Sequence, residues 1–168
     1  RFRNIAKAVF PDALFELHSR SFALYHALRH ISAEASYMIV DIRGELTELS
    51  VIKHGVLVDT ISHPIGESNI FRMLAQELGV PLAVAPSSLS LLANKLGHDA
   101  EHERVLKALR RARVEWLTGL GLILKQTLED YMLPAHMYVY ASTLAGPFFK
   151  EFLSGNELYE YTSNNGSF

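Results

Sequence analysis

Two pairs of histidines have the spacing at which two imidazoles can share one face of a helix. His26 and His30 form one pair, and His98 and His102 form the other. Two imidazoles four residues apart can bind one metal ion together. Neither pair lies in a His-Glu-x-x-His pattern, so we interpret all four as surface or half-buried histidines rather than as metal ligands.

Serines and glycines also fall short of familiar catalytic patterns. Ser87, Ser88 and Ser90 lack the Gly-x-Ser-x-Gly pattern of a nucleophile elbow, and we interpret them as helix caps. Gly119 and Gly121 lack the third glycine of a dinucleotide-binding fingerprint, which favours an irregularity within a helix. The chain contains no cysteine, which excludes a disulfide, a thiolate nucleophile and a cysteine zinc site.

Basic residues cluster between positions 107 and 113. Glutamates flank the cluster, and the whole chain carries a formal net charge of -2 from 16 basic and 18 acidic residues. This balance gives no broad attraction to nucleic acid or anionic lipid. We interpret the cluster as a solvated helix face, with docking of an acidic protein partner as the alternative. Its members are Lys107, Arg110, Arg111 and Arg113.

The elements that must position these residues follow from the pattern of apolar residues. Three successive runs, 37–40, 46–52 and 56–61, are apolar or mixed in character and predict an antiparallel meander. The loop between the second and third runs contains Gly55, which can take the positive φ of a hairpin turn. A further short strand is predicted at 13–18.

Longer periodic stretches predict helices. They cover residues 22–31, 70–78, 86–96, 99–132 and 148–153, with a strand at 137–140 before the last one. Ser19 or Ser21 is expected to cap the first helix, and Gly79 to end the second. Gly119 and Gly121 are expected to bend or divide the long helix. Its expected apolar stripe is Val105, Leu109, Val114, Leu117, Leu120 and Leu124.

The chain is predicted to be a single α/β domain. A three-stranded meander followed by alternating helices and strands predicts a ribonuclease-H-like sheet with helices packed on it, and 168 residues fit one domain. Residues 159–168 are polar and are expected to fray. Prolines interrupt the two long uncharged stretches, 78–94 and 131–149, so insertion into a membrane is not expected.

The segment from Tyr37 to Gly66 resembles the second phosphate-loop hairpin of the bacterial actin-like ATPase superfamily. In that family an aspartate ends the first strand of the hairpin, glycines form its turn, and one or two threonines begin its second strand. Asp41, Gly44 and Thr47 occupy these positions here. The resemblance extends over most of residues 13–153 and implies an actin-type subdomain, one half of a larger protein.

The resemblance implies a site for ATP and magnesium. Asp41 would orient the metal-bound phosphate or its water shell, and Gly44, Thr47 and Gly66 would complete the phosphate side. Glycines suit this role because backbone N–H groups can approach phosphate oxygens without an intervening side chain. In the family the nucleotide lies between two halves, each with its own phosphate loop, so this chain alone is expected to lack catalysis.

Three residues of the hairpin differ from the family pattern. Arg43 and Glu45 stand where the family has glycine, and Leu46 stands where a hydroxyl is usual. Glu45 places negative charge beside a triphosphate, and Arg43 offsets part of that repulsion. The alternative interpretation of the segment is an ordinary polar β-hairpin turn.

A second segment, residues 137–153, resembles the nucleoside side of the same family's site. The family has a strand, a run of glycines that packs against the nucleoside, a short apolar stretch and a helix. Ala141, Ser142 and Thr143 replace the glycines here, and Gly146 precedes the helix. The alternative interpretation is that these small residues permit close packing of strand and helix.

The function expected for the chain follows from this resemblance. It implies a non-catalytic or weakly nucleotide-binding scaffold that works through protein partners in a bacterial membrane-associated assembly of the pilus, secretion or division type. The implied location is the cytoplasm, with recruitment to the inner face of the membrane. Two alternatives stay open: part of a genuine magnesium-ATP-dependent ATPase completed by a missing half, and an interaction module that does not need nucleotide.

Overall fold

A computed structural model describes residues 2–12, 18–93, 99–130 and 132–154 of the chain. The helices are α1 (Phe2–Val9), α2 (Arg20–Leu28), α3 (Glu67–Leu78), α4 (Ala85–Ala93), α5 (Asp99–Asp130) and α6 (Gly146–Leu153). The strands are β1 (Tyr37–Ile42), β2 (Thr47–Lys53), β3 (Val56–His63) and β4 (Met137–Tyr140). The strand predicted at 13–18, the end of the helix predicted to reach residue 96, and the tail at 159–168 lie outside these ranges, wholly or for the most part.

The strands form one sheet in the order β3-β2-β1-β4. β1, β2 and β3 pair antiparallel, as the predicted meander requires, and β4 pairs parallel to β1. A parallel neighbour must be reached by a crossover, and α3, α4 and α5 lie between β3 and β4 in the chain. The α/β order predicted from the sequence is therefore confirmed.

Local turn chemistry fixes the register of the meander. His54 and Gly55 form the two-residue loop between β2 and β3, with φ values of 48° and 73°. Two positive φ values give the turn a twist that matches the flanking strands, and glycine adopts this region without steric cost. The Tyr25 hydroxyl donates to the Gly55 carbonyl at 2.6 Å, so the turn is also held by α2.

The ends of two helices follow the predicted signals. The Ser19 side chain caps α2 by accepting a hydrogen bond from the Phe22 N–H. Gly79 ends α3 with a φ of 70°, and its N–H donates to the Ala75 carbonyl. Both predictions, which depend only on local hydrogen bonding and backbone freedom, are confirmed.

Helices cover both faces of the sheet. Alternate residues of β1 point to opposite faces: Met38 and Val40 join the larger core that includes α3, α5 and α6. Tyr37 and Ile39 join a smaller cluster with Tyr25 of α2. The same alternation places Asp41 on the α2 face, at the end of β1.

The long helix α5 differs from the predictions in two respects. It runs without interruption from Asp99 to Asp130, so the predicted division at Gly119 and Gly121 is wrong. The expected apolar stripe is buried at Val105 and Leu120 among others, but Val114 is 63% exposed. No helix within the described ranges is long and apolar enough to span a membrane.

Gly119 of α5 is explained by a close contact. A Cβ atom at this position would lie 2.3 Å from Nε2 and 2.5 Å from Cδ2 of His63, at the end of β3. No Cβ can approach a ring so closely, so the sheet meets the helix backbone directly here. The glycine is required for packing between helix and sheet.

Gly119→Ala should therefore lower the free energy of unfolding by about 1–3 kcal/mol, because overpacking outweighs the roughly 1 kcal/mol that alanine gains in helix propensity. Urea denaturation measures the change. In a His63→Ala background the obstructing ring is gone, and the same substitution should be neutral or stabilising. An equal loss in both backgrounds would contradict the assigned contact.

Candidate functional site

The two segments singled out by the sequence meet at one edge of the sheet. β1 and β4 are parallel, and Asp41 pairs in register with Tyr140. The carboxyl ends of both strands therefore lie side by side, which is where open α/β sheets place their ligands. The Ser142 hydroxyl donates to Glu67 Oε2 at 2.6 Å, so the turn after β4 is joined to the first turn of α3.

Asp41, the predicted metal ligand, is buried and bound by arginine. Arg20 donates to both of its carboxylate oxygens, from Nε at 2.6 Å and from a terminal nitrogen at 3.2 Å. Arg43 lies on the same carboxylate, with Nε 3.3 Å from Oδ2. Two guanidinium groups thus neutralise one buried carboxylate, which is otherwise a costly group to remove from water.

The same arginines extend the network to Glu48 and Tyr140. Arg43 donates to Glu48 Oε2 at 2.9 Å, and the Ser21 hydroxyl donates to the other oxygen of Glu48. The Arg20 guanidinium lies 4.9 Å from the centre of the Tyr140 ring. The hydrogen bond to Asp41 raises the pKa of Arg20 above its ordinary value. The network therefore joins α2, both strands of the hairpin, and the end of β4.

This arrangement does not fit a magnesium ion at Asp41. A magnesium ligand must offer an oxygen lone pair to the ion or to its water shell, whereas both oxygens of Asp41 accept from Arg20. A cation would also lie beside two guanidinium groups. Within the described ranges, no three acidic, histidine or cysteine side chains come together as a metal site.

The backbone of the hairpin turn occupies the amino-terminal end of α3. The N–H groups of Glu67 and Ser68 donate to the carbonyls of Arg43 and Gly44, at 2.9 Å and 2.7 Å. A phosphate at a helix N-terminus needs such N–H groups itself. Here the protein's own carbonyls satisfy them, so the turn closes on the helix.

Gly66 makes this closure sterically possible. A Cβ atom on Gly66 would lie 2.0 Å from the Arg43 carbonyl oxygen, and 2.7 Å from both the Gly44 oxygen and the Leu46 nitrogen. Only a residue without a side chain lets the turn pass so close. Gly66 thus has a role in packing of the turn, whether or not it also faces a ligand.

Thr47 belongs to the core. Its hydroxyl donates to the Ile65 carbonyl at 2.7 Å and accepts from the Trp116 indole N–H at 2.8 Å. Both hydrogen-bonding functions of the hydroxyl are satisfied inside the protein, and Thr47 itself is buried. Its predicted place on the phosphate side therefore has a structural explanation that needs no phosphate.

The tip of the hairpin is held on the outside of α3. Arg72 donates to both oxygens of Glu45, at 3.2 Å and 2.9 Å. Hydrogen bonds from Arg72 and then Ser68 lower the pKa of Glu45 below its ordinary value. The Ser68 hydroxyl also lies close to Gly44, 3.2 Å from the point where a Cβ would be. Glu45 is thus engaged by α3 on the protein surface.

The predicted nucleoside segment forms a capped turn. The Ser142 hydroxyl accepts from the Ala145 N–H at 3.1 Å, and the Ser142 carbonyl accepts from the Gly146 N–H at 2.8 Å. Thr143 is exposed on this turn. A shallow cavity of about 360 Å³ lies beside it, lined by Val139, Ala141, Gly146, Lys150 and Leu153. Ser142 therefore acts inside the turn rather than toward this cavity.

Two important residues of the site, Arg20 and Tyr140, were missed by reasoning from sequence. Arg20 lies 21 positions before Asp41, and no local spacing connects them. One signal was available: an aspartate at the end of a buried strand must be paired or hydrogen-bonded. That signal predicts a cationic partner for Asp41 but does not identify the residue that provides it.

His26 of the first histidine pair packs among aromatic rings. The His26 ring packs on Phe22 at 4.3 Å and on Tyr25 at 5.1 Å between ring centres. His102 lies on α5, and its predicted partner His98 lies outside the described residues. The packing of His26 agrees with its interpretation as a half-buried aromatic side chain.

No protein-family profile matches the chain, and no curated protein matches it. Solved structures do match. The PilM-PilN type IV pilus biogenesis complex aligns with a TM-score of 0.63 and 18% identity, over 88% of this chain and 44% of that one. The ethanolamine utilization protein EutJ from Carboxydothermus hydrogenoformans aligns with a TM-score of 0.52 and 21% identity, over 78% of this chain and 45% of that one.

These likenesses establish the fold. The chain has the actin-like, ribonuclease-H-like fold of its structural neighbours, which confirms the fold predicted from the sequence. It spans less than half the length of each matched structure. At such low identity the comparison establishes the fold of the chain only. Its chemistry has to be argued from its own residues.

Proposed function

We propose that this chain is one actin-like half of a larger protein and serves as a non-catalytic scaffold that works through protein contacts. In this role the sheet edge at Asp41 is a structural junction. The arginines that stand on it hold α2, the hairpin and β4 in one arrangement. Nucleotide is not needed to assemble that junction.

One observation carries the proposal: both oxygens of Asp41 accept hydrogen bonds from Arg20. A metal-bound phosphate would have to displace this bidentate pair from a site where both groups are partly desolvated. Buried ion pairs are expensive to break because a charge is left without a partner. Closure of the turn on α3 through Glu67 and Ser68 supports the same conclusion.

The setting of the scaffold is proposed from its resemblance to other proteins. The neighbour with the higher TM-score is a two-protein pilus biogenesis complex, which supports a protein partner for this chain. We propose a bacterial membrane-associated assembly of the pilus, secretion or division type. The chain would lie in the cytoplasm and be recruited to the inner face of the membrane by its partner.

An ATPase is the second candidate function. It is favoured by the meeting of the hairpin and the turn after β4 at the carboxyl ends of two parallel strands. In this alternative the other half supplies a second phosphate loop, and magnesium-ATP displaces Arg20 and Arg43 from Asp41. The free energy gained by binding magnesium-ATP would have to exceed the cost of breaking the interactions of Arg20 and Arg43 with Asp41.

Calorimetric titration with magnesium-ATP distinguishes the two functions. We expect no saturable binding by this chain or by its full-length parent at nucleotide concentrations up to about 1 mM, the range of weak specific sites. Arg43→Gly, which restores the glycine of the family pattern, should not create binding. Circular dichroism confirms that each preparation is folded.

Saturable binding by the parent would overturn the scaffold proposal if Asp41→Ala weakened it at least about tenfold. In that case Arg43→Gly should strengthen binding, since it frees the carboxylate from one of its two cations. Binding that is unchanged by Asp41→Ala would indicate a nucleotide site elsewhere in the parent, and the assignment of this edge as a structural junction would stand.

A further inference from the structure

A groove on the outer surface of the domain lies between α3 and α5. It has a volume of about 450 Å³ and is lined by Met73, Arg110, Arg111, Val114 and Glu115. Met73 packs against the main core from the α3 side. The groove therefore has an apolar floor and a charged rim, and it lies on the helical side of the sheet.

One apolar side chain of α5 is exposed at the groove. Val114 is 63% exposed, which is unusual for a valine in the middle of a long helix that covers the core. Together with Met73 of α3, Val114 gives the groove an apolar patch inside its charged rim.

The charge on the rim is positive. Lys107 and Arg111 lie 2.7 Å and 3.8 Å from the oxygens of Glu77, and Arg104 donates to the Glu77 backbone carbonyl. Hydrogen bonding by Lys107 lowers the pKa of Glu77 below its ordinary value. Lys107 and Arg111 thus share the Glu77 carboxylate, while Arg104 binds its backbone carbonyl, so the cations outnumber the carboxylate here.

Arg110 adds to this excess. It is exposed, and it makes no ion pair with any residue in the described ranges. Of the described residues, Glu115 is the only acidic one that lines the groove. Arg110 offers a charged hydrogen-bond donor beside the apolar side chain of Val114, and arginine is among the residues enriched in interface hot spots.

We propose that the α3–α5 groove binds an acidic amphipathic helix of a protein partner. Its apolar side chains would pack on Val114 and Met73, and its carboxylates would pair with Arg110 and Arg111. This is the helix-in-groove mode of recognition, in which apolar anchors supply affinity and rim charges set orientation. The inference rests on the proposed scaffold function, because it names the class of partner that such a scaffold holds.

A protein partner fits this surface better than nucleic acid or lipid. The chain as a whole has a net charge of -2, and Glu115 stands in the groove itself. A polyphosphate or an anionic bilayer needs a broad positive surface. An acidic helix needs only a short basic rim beside an apolar patch, which Arg110 and Arg111 provide together with Met73 and Val114.

The test uses a fluorescent peptide of about 18 residues, five helical turns, with leucines along one face and glutamates along the other. Fluorescence anisotropy measures its binding to the 168-residue chain. One control peptide has the same composition in scrambled order, and another has lysine in place of every glutamate. We expect the acidic amphipathic peptide to bind at least about tenfold more tightly than either control.

Two variants locate the binding site. Arg110→Glu and Val114→Glu should each weaken binding of the acidic peptide at least about tenfold. Val56→Glu is the matched control, because Val56 is 57% exposed but lies on β3, away from the groove. That variant should bind like the parent chain, and all three are exposed substitutions that leave the core intact.

Several outcomes would overturn the inference. No binding up to about 1 mM, equal binding of the scrambled peptide, or binding unaffected by Val114→Glu would each exclude a groove that recognises an acidic amphipathic helix. Magnesium-ATP titration of the full-length parent tests the scaffold function separately. Failure of the peptide without nucleotide binding removes only the partner class, whereas saturable, Asp41-dependent nucleotide binding removes the scaffold function itself.

Discussion

Replacing Arg20 and Arg43 together by methionine should lower the free energy of unfolding by about 3–5 kcal/mol, the cost of leaving a buried charge unpaired. The Asp41 side chain is only 3% exposed. Once both guanidinium groups are gone, its carboxylate has neither water nor a cation to stabilise it. Methionine keeps much of the apolar stem of arginine, so packing loss contributes little.

The reverse substitution should cost less. In Asp41→Asn the two arginines lose this carboxylate, but Arg43 keeps its hydrogen bond to Glu48. The arginine side chains are also 44% and 34% exposed and can be hydrated again. A loss of about 1–2 kcal/mol is expected, as for a hydrogen-bonded charge pair that is partly solvated. Removing the arginines costs more than removing the carboxylate charge because Asp41 is buried and the arginines are partly exposed.

Combining all three substitutions completes the test. Once Asp41 is replaced by asparagine, the loss of both arginines leaves only Glu48 without its cation, and Glu48 still accepts from the Ser21 hydroxyl. The triple variant should therefore recover a large part of the stability that the double variant loses. Urea unfolding at neutral pH measures each step of the cycle. A double variant that costs less than about 1 kcal/mol, or a triple variant that shows no recovery, would contradict the proposed junction.

This cycle bears directly on function. If the arginines are the structural partners of Asp41, stability depends on them in the absence of any ligand. A phosphate loop kept for nucleotide behaves in the opposite way. Its carboxylate is free to bind a metal, and the protein gains stability only when the metal is bound. The stability of the ligand-free chain thus reports whether Asp41 is structural.

Local features of the fold could be predicted because their causes are local. The hairpin at Gly55, the Ser19 cap and the stop at Gly79 each depend on backbone freedom or on hydrogen bonds within a few residues. The order of strands followed from apolar runs. A resemblance in the pattern around Asp41 then indicated the actin-like arrangement, which the structural comparison confirms.

Features that depend on tertiary contacts could not be predicted. Val114 fits an apolar stripe as well as its neighbours do, and only the direction in which α5 packs shows that it is exposed. Gly119 looked like a helix irregularity, although its role is to admit the His63 ring. The partner of Asp41 comes from a helix 21 residues earlier. In each case the deciding neighbour is distant in sequence.

Gly66→Ala should have an effect as large as that of the arginine pair. Its backbone φ is -138°, an extended conformation that any residue adopts, so the cost is purely steric. The new Cβ would lie 2.0 Å from the Arg43 oxygen and 2.7 Å from two further backbone atoms. Backbone atoms cannot rotate away, and we expect a loss of about 3 kcal/mol or more, the upper end of overpacking.

Gly44→Ala provides the matched control within the same turn. A Cβ on Gly44 meets only the Ser68 hydroxyl, at 3.2 Å, and a hydroxyl can rotate by the few tenths of an ångström required. Its cost should stay below about 1 kcal/mol. Urea unfolding compares the two variants, and circular dichroism shows whether Gly66→Ala folds at all.

The comparison separates two reasons for a glycine at position 66. If the residue serves mainly to make room for a phosphate, alanine should weaken ligand binding and leave the free chain nearly as stable as before. If it serves to let the turn carbonyls reach the N–H groups of Glu67 and Ser68, alanine should destabilise the free chain directly. Equal stability of the two alanine variants would exclude the second reason and return Gly66 to the candidate phosphate site.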